Sequence, residues 1–282
     1  MAALAPPRSL TPFQRPPLAG EGTWRPAGRR VQGHAAVYTT TVRLPDDPRV
    51  VAGIAWLDTR LLHAALYSGS LSPGGFFWKR TAPISPLAAR TLVAAFNGGF
   101  LLKDSHGGYL SEAHLVAPLR VGAASLVIYR NGSVRVGQWG RDVGMTPNVV
   151  AVRQNLTLLV DHARPVAGLR ASDVATWGYA LNNDPTTWRS GLGQCANGAL
   201  VYVAGPMTIV DLAHVLVRAG ALRAMVLDMN PFWTVFASYA AARASAPASA
   251  ANGTDLLPTM VQGPGRFFQT AYSRDFVALF AN

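Results

Sequence analysis

The sequence predicts an α+β fold, a single domain in which mixed or antiparallel sheets carry a few packed helices. Strand-like segments rich in β-branched and aromatic residues recur along the chain, and two Asn-Gly pairs favour tight hairpins. A capped amphipathic segment favours a helix. Half of the 282 residues are hydrophobic and 14% are charged, a balance that supports a large core and excludes global disorder.

Two segments differ in composition from the rest of the chain. Residues 1–30 hold six prolines and five arginines against one acid, so we expect a disordered arm or linker. Residues 240–253 are rich in Ala and Ser and predict a flexible insertion. Hydrophobic density is high from Val31 onward, and we therefore expect residues 31–282 to form the domain.

The predicted strands are separated by recognisable turns. The cluster Pro45–Pro48 follows one strand, and Asn131-Gly132 is the residue pair that a type I′ turn requires, because both of its positions need positive φ. Asn197-Gly198 predicts another hairpin before residues 200–203. The best-defined strand pairs are residues 37–44 with 51–57 and residues 125–129 with 134–139.

Two helices are predicted, and each precedes an apolar run that ends in polar residues. The clearer helix covers residues 208–219, because Thr208 can cap it and Gly220 can end it. A shorter helix is predicted at residues 86–90. The apolar runs that follow them lead into Asn97 and Asp228. Polar side chains at strand ends are typical of a functional site.

The chain is basic, with 25 basic and 14 acidic residues and a formal net charge of +11. All the basic residues except Lys79 and Lys103 are arginines, which grip phosphates and carboxylates in a bidentate manner. The surplus suits an anionic partner, although an Arg-rich composition accounts for it equally well. The arginines are dispersed outside the arm and no known nucleic-acid module occurs, so we expect no nucleic-acid partner.

Several classes of protein are excluded. The single Cys195 rules out an intramolecular disulfide and a thiolate-cluster metal site. There is no Walker A loop, nucleophile elbow or zincin helix. No apolar run approaches the roughly 18 residues of a transmembrane helix, and residues 1–8 show no export signal. The sequence specifies no oligomeric state.

The most specific local feature is a run of small residues that ends in Asn97, Gly98 and Gly99, followed by Phe100. Paired glycines let a ligand approach backbone N–H groups, and the Asn97 amide can both donate and accept hydrogen bonds. An ordinary turn is the competing interpretation.

This run resembles the Asn-Gly-Gly-Phe motif of the phosphodiester glycosidase family. Residues 188–193 and 197–203 are similar to the family's Arg-Thr-Ala-Ile-Gly segment and the hairpin after it, and the order continues through the helix to Leu227-Asp228. The resemblance covers about residues 90–235. It implies a hydrolase that cleaves a glycosyl-1-phosphodiester in a bacterial glycan or cell-envelope polymer. It also implies an extracytoplasmic or membrane-associated location, since bacterial relatives are exopolysaccharide-related.

The chain departs from the family after Asp228. The family continues Leu-Asp-Gly-Gly-Gly-Ser, whereas residues 229–233 here read Met-Asn-Pro-Phe-Trp. Backbone donors that a glycine-rich loop would present are replaced by a bulky, proline-stiffened loop. The alternative function is therefore a non-catalytic binding module for anionic polysaccharide on the same fold.

Two carboxylates are candidate catalytic residues. Asp228, at the end of an apolar strand, is the candidate nucleophile, base or electrostatic stabiliser, with a structural loop-capping role as the alternative. Glu112, the only Glu after the arm, is a candidate acid in a loop over the site. The chemistry demands no cofactor and no metal, although Asp228 and an amide have the ligand types to hold a divalent cation.

The remaining candidate site residues are expected to bind the substrate. Arg189 is the candidate phosphate anchor, because a guanidinium fork matches two phosphate oxygens, and a surface arginine is its alternative. Asn97, Gly98, Gly99 and Asn230 are the candidate substrate contacts. A glycan or sugar-phosphate substrate is the expected partner.

Overall fold

The computed structural model describes residues 2–75, 77–179, 184–241, 243, 246–270 and 272–282. Strands account for 40% of the residues and helices for 9%, and the strands form three antiparallel sheets. The expected α+β fold with a few packed helices is therefore wrong, because the molecule is dominated by its sheets. The physical reason lies in the length of the helical patterns: only one predicted helix is long enough to pack a full apolar face.

The largest sheet has eight strands, and its order mixes strands from both ends of the chain. The third strand pairs with one that follows it by about 140 residues in sequence, and so the sheet joins the two halves of the molecule. In spatial order the strands are β1 (Arg25–Val31), β2 (His34–Arg43), β3 (Val51–Leu57), β14 (Leu200–Met207), β13 (Thr187–Cys195), β15 (Ala221–Val226), β11 (Leu158–Asp161) and β12 (Arg164–Pro165).

Two five-stranded sheets complete the fold. One contains β7 (His114–Ala117), β6 (Tyr109–Ser111), β10 (Val149–Gln154), β8 (Ala124–Tyr129) and β9 (Val134–Gln138). The other contains β17 (Gly253–Asp255), β16 (Phe236–Tyr239), β5 (Leu92–Asn97), β18 (Phe276–Ala281) and β4 (Leu62–Tyr67). The β8–β9 hairpin turns at Asn131-Gly132, where Gly132 has a φ of 79°, so the predicted hairpin is confirmed.

The principal helix is α3 (Ile209–Arg218), and it confirms the predicted helix within a residue at either end. The Thr208 hydroxyl accepts from the N–H of Asp211, and the Asp211 carboxylate accepts from the N–H of Thr208, a reciprocal cap. The helix buries its apolar face against the large sheet. The remaining helices are single turns, α1 (Pro86–Ala89) and α2 (Val174–Trp177), with 3₁₀ turns at Ala250–Asn252 and Arg266–Phe268. Every helix in the described residues is too short or too polar to span a bilayer.

The two segments of unusual composition touch the body of the molecule. Within residues 1–30, the backbone N–H of Leu4 donates to the Asp58 carboxylate at 2.8 Å, and residues 25–30 belong to β1. Within residues 240–253, Ala248 is buried. The expected flexibility of residues 242, 244 and 245 concerns positions outside the described residues.

The topology brings three polar strand ends together. Asn97, the last residue of β5, pairs with Phe276 at the start of β18, so Arg274 and Asp275 lie just beyond this pair. On the large sheet, the N–H of Ser190 donates to the backbone oxygen of Asp228 at 2.8 Å, two residues past the end of β15. The candidate site is built where these ends meet.

Candidate functional site

A cavity of about 470 Å³ opens beside Asp228. Its walls come from five parts of the chain: residues 100–106, Leu156, α2 with the residues after it, the loop after β15, and the residue before Asp275. The ionisable and amide side chains that line it are Lys103, Asp104, His106, Asp228, Asn230 and Arg274. Side chains of both signs of charge therefore line one cavity, as in many ligand sites.

A slightly larger cavity, of about 490 Å³, lies elsewhere, between β4 and the β8–β9 hairpin. Among the described residues that line it, Arg80 and Arg130 are basic and none carries a side-chain carboxylate. His63 is the one imidazole in its described wall, and no carboxylate accompanies it there. We place the candidate active site at Asp228 because that cavity combines carboxylates with cations.

Asp228 is the most perturbed carboxyl in the cavity. It is only 2% exposed, and burial raises the pKa of Asp228 to about 7, because desolvation disfavours the charged form. Arg274 opposes this rise with its Nη2 atom 3.5 Å from Oδ2, as does the N–H of Met229, which donates to Oδ1 at 2.8 Å. A carboxyl with this pKa exchanges its proton near neutral pH, as a general acid or base must.

Arg274 is positioned to meet an anion in the same cavity. Its guanidinium carbon lies 4.9 Å from the centre of the Trp233 ring, which fixes the plane of the group. Its Nη1 atom is buried and has no hydrogen-bond partner among the described residues. The arginine thus retains donor capacity beyond its long contact to Asp228.

Asn97 lies behind the cavity rather than in its wall. It is 1% exposed, and its Nδ2 donates to the hydroxyl of Ser190 at 3.0 Å. The hydroxyl of Tyr202 donates to its Oδ1 at 2.7 Å, and the Asp228 N–H donates to the same Ser190 hydroxyl at 3.2 Å. The amide is therefore satisfied inside the protein and joins β5 to the strands that carry Asp228.

Gly98 and Gly99 make room for a buried ion pair. Arg153 donates through Nε to Asp275 Oδ2 at 2.9 Å and through Nη2 to Oδ1 at 3.2 Å, and both residues are almost fully buried. A Cβ on Gly98 would lie 2.0 Å from Asp275 Oδ2, and one on Gly99 would lie 3.0 Å from the Arg153 guanidinium. The pair of glycines thus serves close packing of the protein on itself at these positions.

Arg189 lies in a neighbouring cavity of about 350 Å³. It is 3% exposed, its Nε donates to the backbone oxygen of Met207 at 3.1 Å, and its Nη1 is 3.8 Å from Met229 Sδ. Burial lowers the pKa of Arg189 to about 10. The structure therefore does not bring Arg189 into the wall of the Asp228 cavity.

Asn230 and Glu112 occupy different settings. Asn230 lines the Asp228 cavity, and its Oδ1 accepts from the N–H of Phe232 at 2.9 Å, which stabilises the loop. Glu112 has a φ of 50° between β6 and β7, and its carboxylate accepts from the N–H groups of Lys79 and Arg80, both at 2.8 Å. Glu112 is absent from the described lining of the Asp228 cavity.

Sequence reasoning missed Arg274, Lys103 and His106. The one available signal was the charged pair Arg274-Asp275 directly before the final apolar run. A charged pair at that position indicates polar groups at a strand end, yet nothing local indicates which strand they meet. No group of three or more His, Cys, Asp or Glu side chains in the described part of the chain has the arrangement of a metal site.

Comparisons with known proteins give similarity of fold alone. No family model and no curated protein sequence matches the chain. The catalytic domain of zebrafish N-acetylglucosamine-1-phosphodiester alpha-N-acetylglucosaminidase, auto-inhibited by its pro-peptide, is similar with a TM-score of 0.55 and 15% identity. The similarity covers 91% of this chain and 87% of that domain.

Two further solved structures are less similar to this chain. A hypothetical protein from Synechocystis has a TM-score of 0.49 and 10% identity, over 92% of this chain and 64% of that one. A protein from Burkholderia pseudomallei described as exported has a TM-score of 0.40 and 14% identity, over 82% and 74%. The zebrafish domain therefore supports a fold relationship with a phosphodiester glycosidase, while membership of that family stays a prediction.

Proposed function

We propose that the chain hydrolyses a glycosyl-1-phosphodiester, with Asp228 as the general base and Arg274 as the anchor for the phosphate. One observation carries the proposal: a buried carboxyl whose pKa is raised to about 7 shares a cavity of about 470 Å³ with a guanidinium that has an unpartnered donor. The resemblance of residues 90–235 to the phosphodiester glycosidase family supports the choice of reaction.

The reaction breaks the bond between the anomeric carbon and a phosphate oxygen. A water molecule attacks the anomeric carbon, its proton passes to Asp228, and the bonding electrons leave with the phosphate monoester. A phosphate monoester is a stable anion, so its departure requires little help from an acid. Arg274 and Lys103 face the cavity and stabilise the charge that develops on the departing group.

The other walls suit a sugar. Phe100 and Tyr179 line the cavity and supply apolar surface for a pyranose face. Asp104 and His106 line it as well and supply hydrogen-bonding groups for hydroxyls. The substrate we propose is a sugar joined through phosphate to a bacterial glycan or envelope polymer. An extracytoplasmic or membrane-associated location belongs to the same proposal and depends on the family resemblance.

A second candidate function is a binding module for anionic polysaccharide on the same fold. The loop after Asp228 favours it, because the Asn230 carboxamide is engaged by the N–H of Phe232 and Met229 fills space beside the cavity. Such a module would retain Arg274 as an anion anchor without turnover.

A screen of glycosyl phosphodiesters for release of free sugar tests the proposal. We expect the wild-type chain to turn over at least one diester, and Asp228→Asn to lose this turnover while it remains folded by circular dichroism. Asp46→Asn, at an exposed turn, is the matched control and should retain turnover. Full activity in Asp228→Asn would remove the base from the mechanism. Binding of a diester with no turnover in the wild type would favour the binding module.

A further inference from the structure

Met229 lies in the wall between two cavities. Its side chain lines the cavity of Asp228, and its Sδ is 3.8 Å from Nη1 of Arg189, which lines the other cavity. Val174 and Gly178 line both cavities, so the two volumes share one wall. Met229 is 9% exposed and is therefore held within this wall rather than in solvent.

The sulfur atom fills a gap that the backbone of Gly178 leaves open. Gly178 has a φ of 91°, and a Cβ built on it would lie 2.6 Å from Met229 Sδ and 3.3 Å from the ring of Phe100. The space where a side chain would stand is thus occupied by the thioether. Met229 therefore contributes side-chain atoms to the wall where Gly178 contributes none.

Arg189 behind this wall has the chemistry of an anion site. It is 3% exposed, and no carboxylate lies within 4.0 Å of its guanidinium among the described residues. Its resolved contacts are the Met207 backbone oxygen and the weakly accepting Met229 sulfur. A guanidinium has five N–H donors, so donors remain for a ligand in the cavity of about 350 Å³. Asp184 lines the same cavity but forms no ion pair with Arg189, so the buried cation lacks a direct counter-charge, and a bound anion would offset the cost of its burial.

We propose that Met229 determines specificity by separating an anion subsite at Arg189 from the cavity of Asp228 and Arg274. The proposal rests on the proposed function for its substrate. With the wall closed, the ligand meets one phosphate anchor, Arg274, and the site selects a glycosyl monophosphate diester. With the wall open, a second phosphate can reach Arg189, and the site also accepts a glycosyl diphosphate. The residue that replaces the first glycine of the family's loop is thus the one that sets the number of phosphates.

Accessibility of Arg189 tests the wall without reference to activity. Phenylglyoxal modifies accessible arginines, and peptide mapping by mass spectrometry resolves each site. We expect labelling of Arg189 to rise by about tenfold in Met229→Gly relative to wild type, while labelling of Arg274 is unchanged. Met229→Leu retains the bulk and should label as the wild type does. Phe232→Ala alters the same loop at an exposed position and is the second control.

Binding of inorganic phosphate and pyrophosphate, measured by calorimetry, tests the subsite. We expect Met229→Gly to bind pyrophosphate about tenfold more tightly than wild type does, because a charge-assisted hydrogen bond is gained, with phosphate affinity unchanged. The gain should vanish in Met229→Gly/Arg189→Gln. Both measurements are repeated with Met229→Ala, because alanine increases the conformational freedom of the backbone less than glycine does.

The outcomes separate this proposal from the proposed function. Unchanged labelling of Arg189 in both Met229→Gly and Met229→Ala would show that Met229 does not separate the two cavities. This conclusion would hold whether or not the chain has turnover. A gain in pyrophosphate affinity that persists in Met229→Gly/Arg189→Gln would overturn the subsite. If labelling and binding behave as expected but no variant releases sugar from a diester or a diphosphate, the wall and subsite stand and the proposed hydrolysis fails.

Discussion

Two neighbouring Arg–Asp pairs in this molecule have opposite designs. Arg153 and Asp275 form a tight pair with N···O distances of 2.9 and 3.2 Å, and the other guanidinium donors reach the backbone oxygens of Phe100 and Gln154. Arg274, the residue directly before Asp275, has its Nη2 atom 3.5 Å from Oδ2 of Asp228, and its Nη1 atom has no hydrogen-bond partner among the described residues. The first pair is saturated and the second is not.

This difference indicates a structural role for the Arg153–Asp275 pair and a chemical role for the Arg274–Asp228 pair. In the first pair every nitrogen of the Arg153 guanidinium already donates a hydrogen bond, and the pair joins β10 to the start of β18. A loose pair beside a cavity leaves a proton-exchanging carboxyl and an anion-binding guanidinium, both of which a reaction can use. Changes in the first pair should therefore affect stability, and changes in the second should affect pH dependence and ligand binding.

The largest expected effect is on the saturated pair. Asp275→Asn leaves the Arg153 charge buried without its counter-charge, and we expect the free energy of unfolding to fall by about 3–5 kcal/mol. Urea denaturation followed by fluorescence measures this loss. Asp46→Asn, an exposed substitution of the same type, should change stability little. A loss below about 1 kcal/mol in Asp275→Asn would remove the distinction between the two pairs.

In the loose pair, Asp228→Asn should raise stability, whereas Asp275→Asn lowers it, and the size of the gain should depend on pH. The Asp228 pKa is raised to about 7 from 3.8, so between these values the folded state holds a proton that the unfolded state has lost. Wild-type stability therefore falls as pH rises through this window, by up to about 4 kcal/mol. Asp228→Asn does not titrate and should gain stability over wild type as pH rises.

Denaturation of both proteins across the window checks this sign. The stability difference should be smallest near pH 4 and reach its full value above about pH 7. A difference that stays constant with pH would show that the pKa of Asp228 is the same in the folded and unfolded states, and one that grows toward low pH would show that folding lowers it. Either result would contradict the raised pKa.

The third effect is on the anion anchor. Arg274→Gln removes a charge that favours ionised Asp228, so the pKa of Asp228 should rise further. It also removes the proposed phosphate contact, and KM for a diester should rise by about tenfold. Kinetics at several pH values measure both changes, with Arg266→Gln, a cation over the same Trp233 ring, as the matched control. An unchanged KM would move the phosphate anchor away from Arg274.

The smallest effect is expected at Glu112. Its carboxylate accepts two backbone N–H groups in an exposed turn, and Glu112→Gln retains one acceptor oxygen, so stability should fall by about 1 kcal/mol or less. Thermal denaturation measures this change. A loss of turnover in a variant that remains folded would support the role of Glu112 as an acid, which the sequence suggested.

The elements predicted correctly from sequence carry their signals within a few residues. The cap of α3 and the Asn131-Gly132 turn of the β8–β9 hairpin are local, and backbone φ and capping geometry decide them. Both predicted helices are present, but the fold class was wrong because α1 is a single turn whose local signals are the same as those of a longer helix. Only the tertiary pairing of the strands shows that three sheets dominate the fold.

The site was less predictable because its pairs join distant residues. The sequence predicted that Asp228 follows the end of an apolar strand, and in the structure Asp228 and Asn230 line one cavity. The partners Arg274 and Asp228 come from different sheets, and nothing in the local pattern of either strand names the other. Asn97 and Arg189 lie at strand positions that are fully buried, so their polar groups meet the protein's own backbone and side chains.

The pH dependence of kcat/KM for a glycosyl phosphodiester tests whether Asp228 is the base. If Asp228 is the base, kcat/KM should rise with pH to a plateau with an apparent pKa near 7, and this rise should be absent in Asp228→Asn. Turnover by the wild type that is independent of pH from about pH 5 to about pH 9 would contradict the assignment of Asp228 as the base.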